Sequence, residues 1–201
     1  MTAAGIVLCG GRSTRMGSSK ALLPFGGETM LQRVLRLLSL VASPLVAVAA
    51  PDQELPELPA SIAIARDERD GQGPLEGLRA GLIALPRDAS IAYATSCDVP
   101  LLVPAVVTRL ADFADGFDIV VVETGGFAHP LCAVYRRTVL PHIEALLAAD
   151  QRRPLFLFDR VHTRRVQAAE LTDIDPELLT LRNLNTPADY AEALKLAGLQ
   201  P

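Results

Sequence analysis

Short runs of Val, Ile, Leu and Ala recur along the chain, and most are followed by longer stretches in which apolar residues return every three or four positions. That alternation is the pattern of parallel strands joined by crossover helices, and it predicts an α/β fold. Ala4 to Cys9 reads as a buried strand that runs directly into a glycine-bearing loop, Gly10 to Lys20. Thr29 to Val41 reads as a helix with Leu31, Val34, Leu35 and Leu38 on one face. Further strands are predicted over Leu45 to Ala50, Ser61 to Ala65, Ile91 to Thr95, Ile119 to Val122, Leu131 to Tyr135 and Thr163 to Gln167. Helices are predicted over Pro74 to Leu85, Pro104 to Phe113, Val139 to Leu147 and Pro187 to Leu196, the last with Thr186 as its N-cap. Pro51 to Pro59 carries three prolines among acidic residues and reads as a surface connection. Gly73, Gly77 and Gly81 fall four apart on one helix face, so another part of the chain must approach that face closely.

Composition narrows the class. The chain has 201 residues, 50% of them hydrophobic, which suits a single domain over 1–201 and excludes intrinsic disorder. A formal charge of −4 argues against nucleic acid as a partner. The longest uncharged stretch, Leu37 to Pro51, is interrupted by Pro44 and falls short of the ~20 apolar residues that span a bilayer, so no membrane segment is expected. The N-terminus has neither a basic region nor a secretory apolar core, which points to the cytoplasm. Cys9, Cys97 and Cys132 are odd in number and lack a C-x-x-C spacing, which suits reduced thiols acting as small buried hydrophobes.

The strongest chemical signal is LCGGRSTRMGSSK, Leu8 to Lys20, where Gly10, Gly11 and Gly17 are interleaved with Arg12, Arg15 and Lys20. Glycines allow backbone N–H groups to face an anion, and the cations neutralise phosphate charge. The loop is neither a Walker A motif, because two serines separate Gly17 from Lys20, nor a G-x-G-x-x-G fingerprint. SCDVP, Ser96 to Pro100, ends a predicted strand, so Asp98 should face the same crevice. A carboxylate beside a triphosphate needs a divalent cation between them, and Mg²⁺ takes one or two carboxylates plus phosphate oxygens; a turn-initiating aspartate is the alternative. His129 lies in a G-G-F-A-H-P turn with no second ligand at metal spacing, which leaves ordering, substrate positioning or plain structure. Asn183 and Asn185 alternate along an extended segment and should point to one side, suiting recognition of a ligand edge or a metal shell, or simply the start of the last helix.

LCGGRSTRMGSSKALLPFGG resembles the LAGGxSxRMGxDKALL signature of the molybdenum cofactor guanylyltransferases. GPLEG (Gly73 to Gly77), CDVP (Cys97 to Pro100), HPLCAVYRR (His129 to Arg137) and NLNTPAD (Asn183 to Asp189) are similar to later motifs of that family, in the same order. The resemblance implies a Rossmann-like, three-layer nucleotidyltransferase fold with a mostly parallel, mixed central sheet. It also implies transfer of GMP from GTP to molybdopterin carrying molybdenum, with Mg²⁺ as cofactor and pyrophosphate as the second product. Proteins that deliver or receive the cofactor are implied as further partners. Carried over by position, it makes Leu8, Cys9, Gly10 and Gly11 nucleotide contacts, Lys20 a phosphate ligand, Asp67 a base or ribose contact and Asp98 the metal ligand. Arg15 would act with Lys20 and Asp98 on the triphosphate, and Asn183 and Asn185 would serve the acceptor side. Ser19, Cys9, Glu76 and Ala49 depart from the family pattern; Ala49 stands where some members place a nucleotide-contacting asparagine. A CTP-dependent relative, another small-molecule nucleotidyltransferase and a nucleotide-binding regulator without turnover are the alternatives.

Overall fold

The computed structural model describes residues 2–10, 19–67 and 73–199. Its strands are β1 (Ala3–Leu8), β2 (Pro24–Phe25), β3 (Glu28–Thr29), β4 (Ala42–Ala49), β5 (Ile62–Arg66), β6 (Ile91–Ser96), β7 (Ile119–Thr124), β8 (Phe127–Arg136) and β9 (Thr163–Gln167). Its helices are α1 (Met30–Ser39), α2 (Pro74–Ala84), α3 (Pro104–Asp112), α4 (Leu140–Ala148), α5 (Leu155–Phe158) and α6 (Pro187–Leu196). Seven strands form one sheet in the order β5-β4-β1-β6-β8-β7-β9. Only β8 among them runs antiparallel to its neighbours β6 and β7, so the sheet is mostly parallel and mixed, as expected.

The sequence of β1 accounts for its central place. All six of its residues are buried, because helices cover both faces of the sheet and an unbroken apolar run is what such a strand requires. Ala3 and Val7 pack into a core with α1 and α3, whereas Ala4, Ile6 and Leu8 pack into a second core with α2 and α4. A third cluster joins Phe25, Met30 and Leu101 to α6 through Ala193 and Leu194. The chain leaves β1 for β4 and β5 on one side and returns to β6 on the other, so the strand order reverses between β1 and β6. Ligands of open α/β sheets bind at the carboxyl ends of the strands at such a reversal.

Helix starts follow their caps. Thr29 stands outside α1 as its N-cap, with Thr29 Oγ1 accepting from Gln32 N and Gln32 Oε1 accepting from Thr29 N at 2.8 Å. Thr186 caps α6 in the same way through Asp189. The helix predicted from Pro74 forms as α2, and its small face is used: a Cβ on Gly77 would lie 3.2 Å from Leu8 Cδ2, and one on Gly81 would lie 2.5 Å from Ile6 Cγ2. Gly81→Ala therefore forces a buried, β-branched neighbour to shift. Overpacking of that kind costs roughly 1–3 kcal/mol, against the ~0.5–1 kcal/mol alanine gains over glycine in a helix. The variant is expected to melt below the wild type by calorimetry, and Ile6→Ala in the same chain should remove most of the clash.

Three elements differ from the expectation. The β2–β3 hairpin has strands of two residues, too short to show a period. Strand β8 begins at Phe127 rather than Leu131, because Gly125 and Gly126 adopt positive φ (55° and 81°) and close a tight hairpin directly after β7. Helix α5 is a single turn in PLFLF, where continuous apolarity hides the helical period. Among the described residues no helix is long and apolar enough to cross a membrane.

Candidate active site

The carboxyl ends of β1 and β6 are tied side by side, with Cys97 N donating to Leu8 O at 3.0 Å and Cys9 N donating to Val48 O of β4 at 2.8 Å. Asp98 projects just beyond β6. Its Oδ2 accepts from Lys20 Nζ at 3.0 Å, and its Oδ1 accepts from Asn183 Nδ2 at 3.0 Å and from the Ser96 hydroxyl. Asn185 Oδ1 accepts from the same Lys20 Nζ at 2.9 Å. Four of the residues singled out from the sequence, Lys20, Asp98, Asn183 and Asn185, thus meet in one network although they lie as far as 165 positions apart.

Local structure explains the convergence. Lys20 opens a 3₁₀ turn, Lys20–Leu22, whose Ala21 is fully buried and fixes the turn against the core. The Asn183–Asn185 segment is pinned at its middle, where Leu184 N donates to Asp98 O at 2.9 Å. Its far end is held by Asp189, whose Oδ2 accepts from Asn185 N at 2.9 Å and from Thr186 N at 2.8 Å. Those hydrogen bonds, first among them the one from Asn185, hold the Asp189 carboxyl below its usual range. The two asparagines flank this pinned residue and reach the same ion pair from one side, as strand-like alternation requires.

The nucleotide-facing residues expected at the end of β1 are partly described. Cys9 is buried, and its Sγ donates to Val48 O at 3.0 Å. Burial, reinforced by the nearby Asp67 charge, pushes its thiol up to about 12, so it stays protonated near neutral pH. Cys97 and Cys132 are likewise free, buried and shifted upward by burial. All three behave as small core hydrophobes. Asp67 follows β5, with its N donating to Ala49 O at 2.9 Å, and its Oδ2 lies 3.4 Å from where a Gly10 Cβ would stand. Its Oδ1 lies 3.6 Å from the equivalent position on Gly77, so the carboxylate sits between two residues that carry no side chain. Ala49 itself is buried in the α1-side core. Gly11, Arg12, Arg15 and Gly17 lie outside the described residues.

Two contributors escaped the sequence reading. Ser96 is buried and supports Asp98 from two positions upstream; a hydroxyl two residues before a strand-end aspartate was the available signal. Gln53, in the proline-rich connection, donates from Nε2 to Cys9 O at 2.7 Å and to Ser19 Oγ at 3.2 Å. Nothing in its local sequence distinguished it. Glu76 forms an ion pair with Arg79 one helical turn on, at 2.9 Å.

His129 borders a cavity of about 170 Å³ that also includes Val99, Thr180 and Asn183, beside the Asp98 network. Its Nε2 pairs with Thr124 Oγ1 at 2.6 Å, and burial pulls the imidazole below its usual range. A depressed histidine favours the folded chain in its neutral form, so this contribution is present above pH ~6.5 and is lost as the pH falls through the folded-state value. Melting temperature should therefore drop on acidification from pH 7 to 5, and His129→Gln should flatten that slope. An identical slope in the variant would remove His129 from the titration.

A family model described as a MobA-like NTP transferase domain matches residues 5–166 of this chain. The chain belongs to that family. It is 34% identical over 196 residues to a "Probable molybdenum cofactor guanylyltransferase" of Carboxydothermus hydrogenoformans, covering 96% of each chain. The fold of this MobA-like transferase matches the crystal structure of molybdopterin-guanine dinucleotide biosynthesis protein A from Archaeoglobus fulgidus with a TM-score of 0.77. That match has 22% identity and covers 97% of this chain and 98% of the other. It also matches Rv0371C of Mycobacterium tuberculosis, solved in complex with manganese, with a TM-score of 0.65 at 18% identity over 97% and 99% of the two chains.

Proposed function

We propose that this MobA-like transferase moves the guanylyl group of GTP onto the terminal phosphate of molybdopterin carrying molybdenum, as a single nucleotidyltransferase domain in the cytoplasm. The observation that carries the reading is the meeting of Lys20, Asp98, Asn183 and Asn185 where the strand order reverses, in a chain whose relatives are named for this reaction. An oxygen of the acceptor phosphate attacks the α-phosphorus of GTP, the bond to the β-phosphate oxygen breaks, and pyrophosphate leaves with the electron pair. A phosphate monoester is largely ionised at pH 7, so the attacking group needs no strong general base, and the site contributes through positioning and charge neutralisation.

The donor set fits a divalent cation. Asp98 Oδ2 and Asn185 Oδ1 converge on one cationic nitrogen at 3.0 and 2.9 Å, which makes them a pair of hard oxygens suited to a cation. Mg²⁺ takes one or two protein oxygens and completes its shell with phosphate and water, so two such donors suffice to hold it. The manganese in the mycobacterial structure supports divalent metal use here. Such an ion would neutralise charge developing on the α-phosphate. Ser96 and Asn183 hold the Asp98 carboxylate in orientation, and Lys20, paired with Asp98 here, would meet the leaving phosphates once nucleotide binds. Three reduced, buried thiols suit the cytoplasm. The test is pyrophosphate release with molybdopterin as acceptor and GTP, CTP or ATP as donor. Turnover with GTP alone supports the reading, and preference for another nucleotide overturns it.

A further inference from the structure

Lys20 is placed unusually for a residue whose task is to meet phosphate. Its ammonium is held between Asp98 Oδ2 and Asn185 Oδ1, the two oxygens proposed above as metal donors, and its side chain is only 17% exposed. A metal ion drawn to those two oxygens would sit a few ångströms from the ammonium, and like charges at that distance repel, so each cation weakens the hold of the site on the other. We propose that Lys20 and the divalent metal compete for one cation seat, so that the metal loads only together with a nucleotide whose phosphates draw Lys20 away. The exchange keeps charge balanced throughout. Before loading, Asp98 is paired with Lys20; afterwards it is paired with the metal, and Lys20 is paired with the phosphates. The protein then discriminates against the metal alone and against the metal-free nucleotide, each of which leaves one charged group without a counterpart.

This inference rests on the assignment of Asp98 as metal ligand, and its test uses neither nucleotide nor turnover. Mn²⁺ alone is titrated into the full chain, and unbound Mn²⁺ is followed by electron paramagnetic resonance. Lys20→Gln should bind Mn²⁺ on the order of 10-fold or more tightly than the wild type, because the competing charge is gone. Lys20→Arg keeps a cation at the seat and should stay near the wild type. Adding Asp98→Asn to Lys20→Gln should abolish the gain. Equal Mn²⁺ affinity in the wild type and Lys20→Gln overturns the competition, as does a gain that survives Asp98→Asn. Failure of the guanylyl reading would show instead in the nucleotide panel.

A separate observation concerns Gln53, and from it we also infer a positioning residue for the nucleotide. The connection from β4 to β5 contains no helix, and its Gln53 reaches across to both flanks of the glycine-bearing segment, Cys9 O and Ser19 Oγ. The same amide accepts from Ala50 N at 3.1 Å, and Arg66 Nη1 braces the turn by donating to the carbonyls of Ala50, Pro51 and Gln53 at 2.8 to 3.1 Å. Gln53 thereby fixes Ser19, and with it the start of the Lys20 turn, relative to the end of β1. Gln53→Ala, and Gln53→Glu, which keeps the acceptor for Ala50 N but loses both donations, should each raise KM for GTP about 10-fold, the loss expected for a hydrogen-bonding group of this kind. The KM for the acceptor should stay unchanged, and the melting temperature should fall by no more than the loss of one or two hydrogen bonds entails. An unaltered KM for GTP overturns the role, and so does a parallel rise in both KM values with a fall in melting temperature, which marks a merely structural prop.

Discussion

Asp98→Asn should lower turnover by on the order of 10²-fold or more, the loss typical of removing a preorganised charged group from a transition state. The substitution is nearly isosteric, so its effect is one of charge and of donor count. Asp98 accepts from three side chains, Ser96, Asn183 and Lys20, and an amide replaces one of its two accepting oxygens with an NH₂ that faces one or more of those donors. The fold should survive, because the backbone around residue 98 is held independently: Leu184 N donates to Asp98 O, and Cys97 N donates to Leu8 O. A melting temperature close to the wild type together with a collapse in kcat is therefore the expected pair of results. Turnover near the wild type at saturating Mg²⁺ would end the metal-ligand role of Asp98.

The parts of the fold that were legible in the sequence are those whose burial is one-dimensional. β1 and the Leu45–Ala49 part of β4 lie inside the sheet and show as unbroken apolar runs, β6 shows as the mainly apolar IAYATS, and α1 and α6 begin at threonines that cap them. Strand direction is not written in periodicity, so nothing marked β8 as the antiparallel member, and its incompletely buried start, Phe127 to Pro130, passed for a turn. At the site, residues carrying charge or a distinctive spacing were found: Lys20 and Asp98 by chemistry, Asn183 and Asn185 by alternation. Their mutual contacts were not foreseen, because the partners come from elements separated by most of the chain. Gln53 is the sharper case. Its role arises from a helix-free crossover that happens to bring one amide over the end of β1, a tertiary fact without a local sequence signature.

Base choice is the other large effect to be expected. Guanine presents two adjacent donors, N1–H and the 2-amino group, whereas cytosine presents one amino donor beside acceptors, so a guanine site needs a carboxylate or carbonyls at that edge. We propose Asp67 as that acceptor. It follows β5 at the carboxyl end of the sheet, and Gly10 and Gly77 leave the space beside its carboxylate free of side chains, with would-be Cβ atoms 3.4 and 3.6 Å from its oxygens. The charge is felt locally, since it helps push the neighbouring Cys9 thiol upward. A wrong base would leave that carboxylate facing an acceptor, and sites whose buried polar groups go unmatched reject such analogues strongly. GTP should therefore exceed CTP in kcat/KM by roughly 10²-fold or more. Asp67→Ala should shrink this ratio by lowering the GTP value while the CTP value holds. Equal losses with both nucleotides would move Asp67 from the base to the ribose hydroxyls, which the two nucleotides share. A wild-type chain that prefers CTP would overturn the guanylyl assignment itself, since cytosine offers one donor at the edge where guanine offers two.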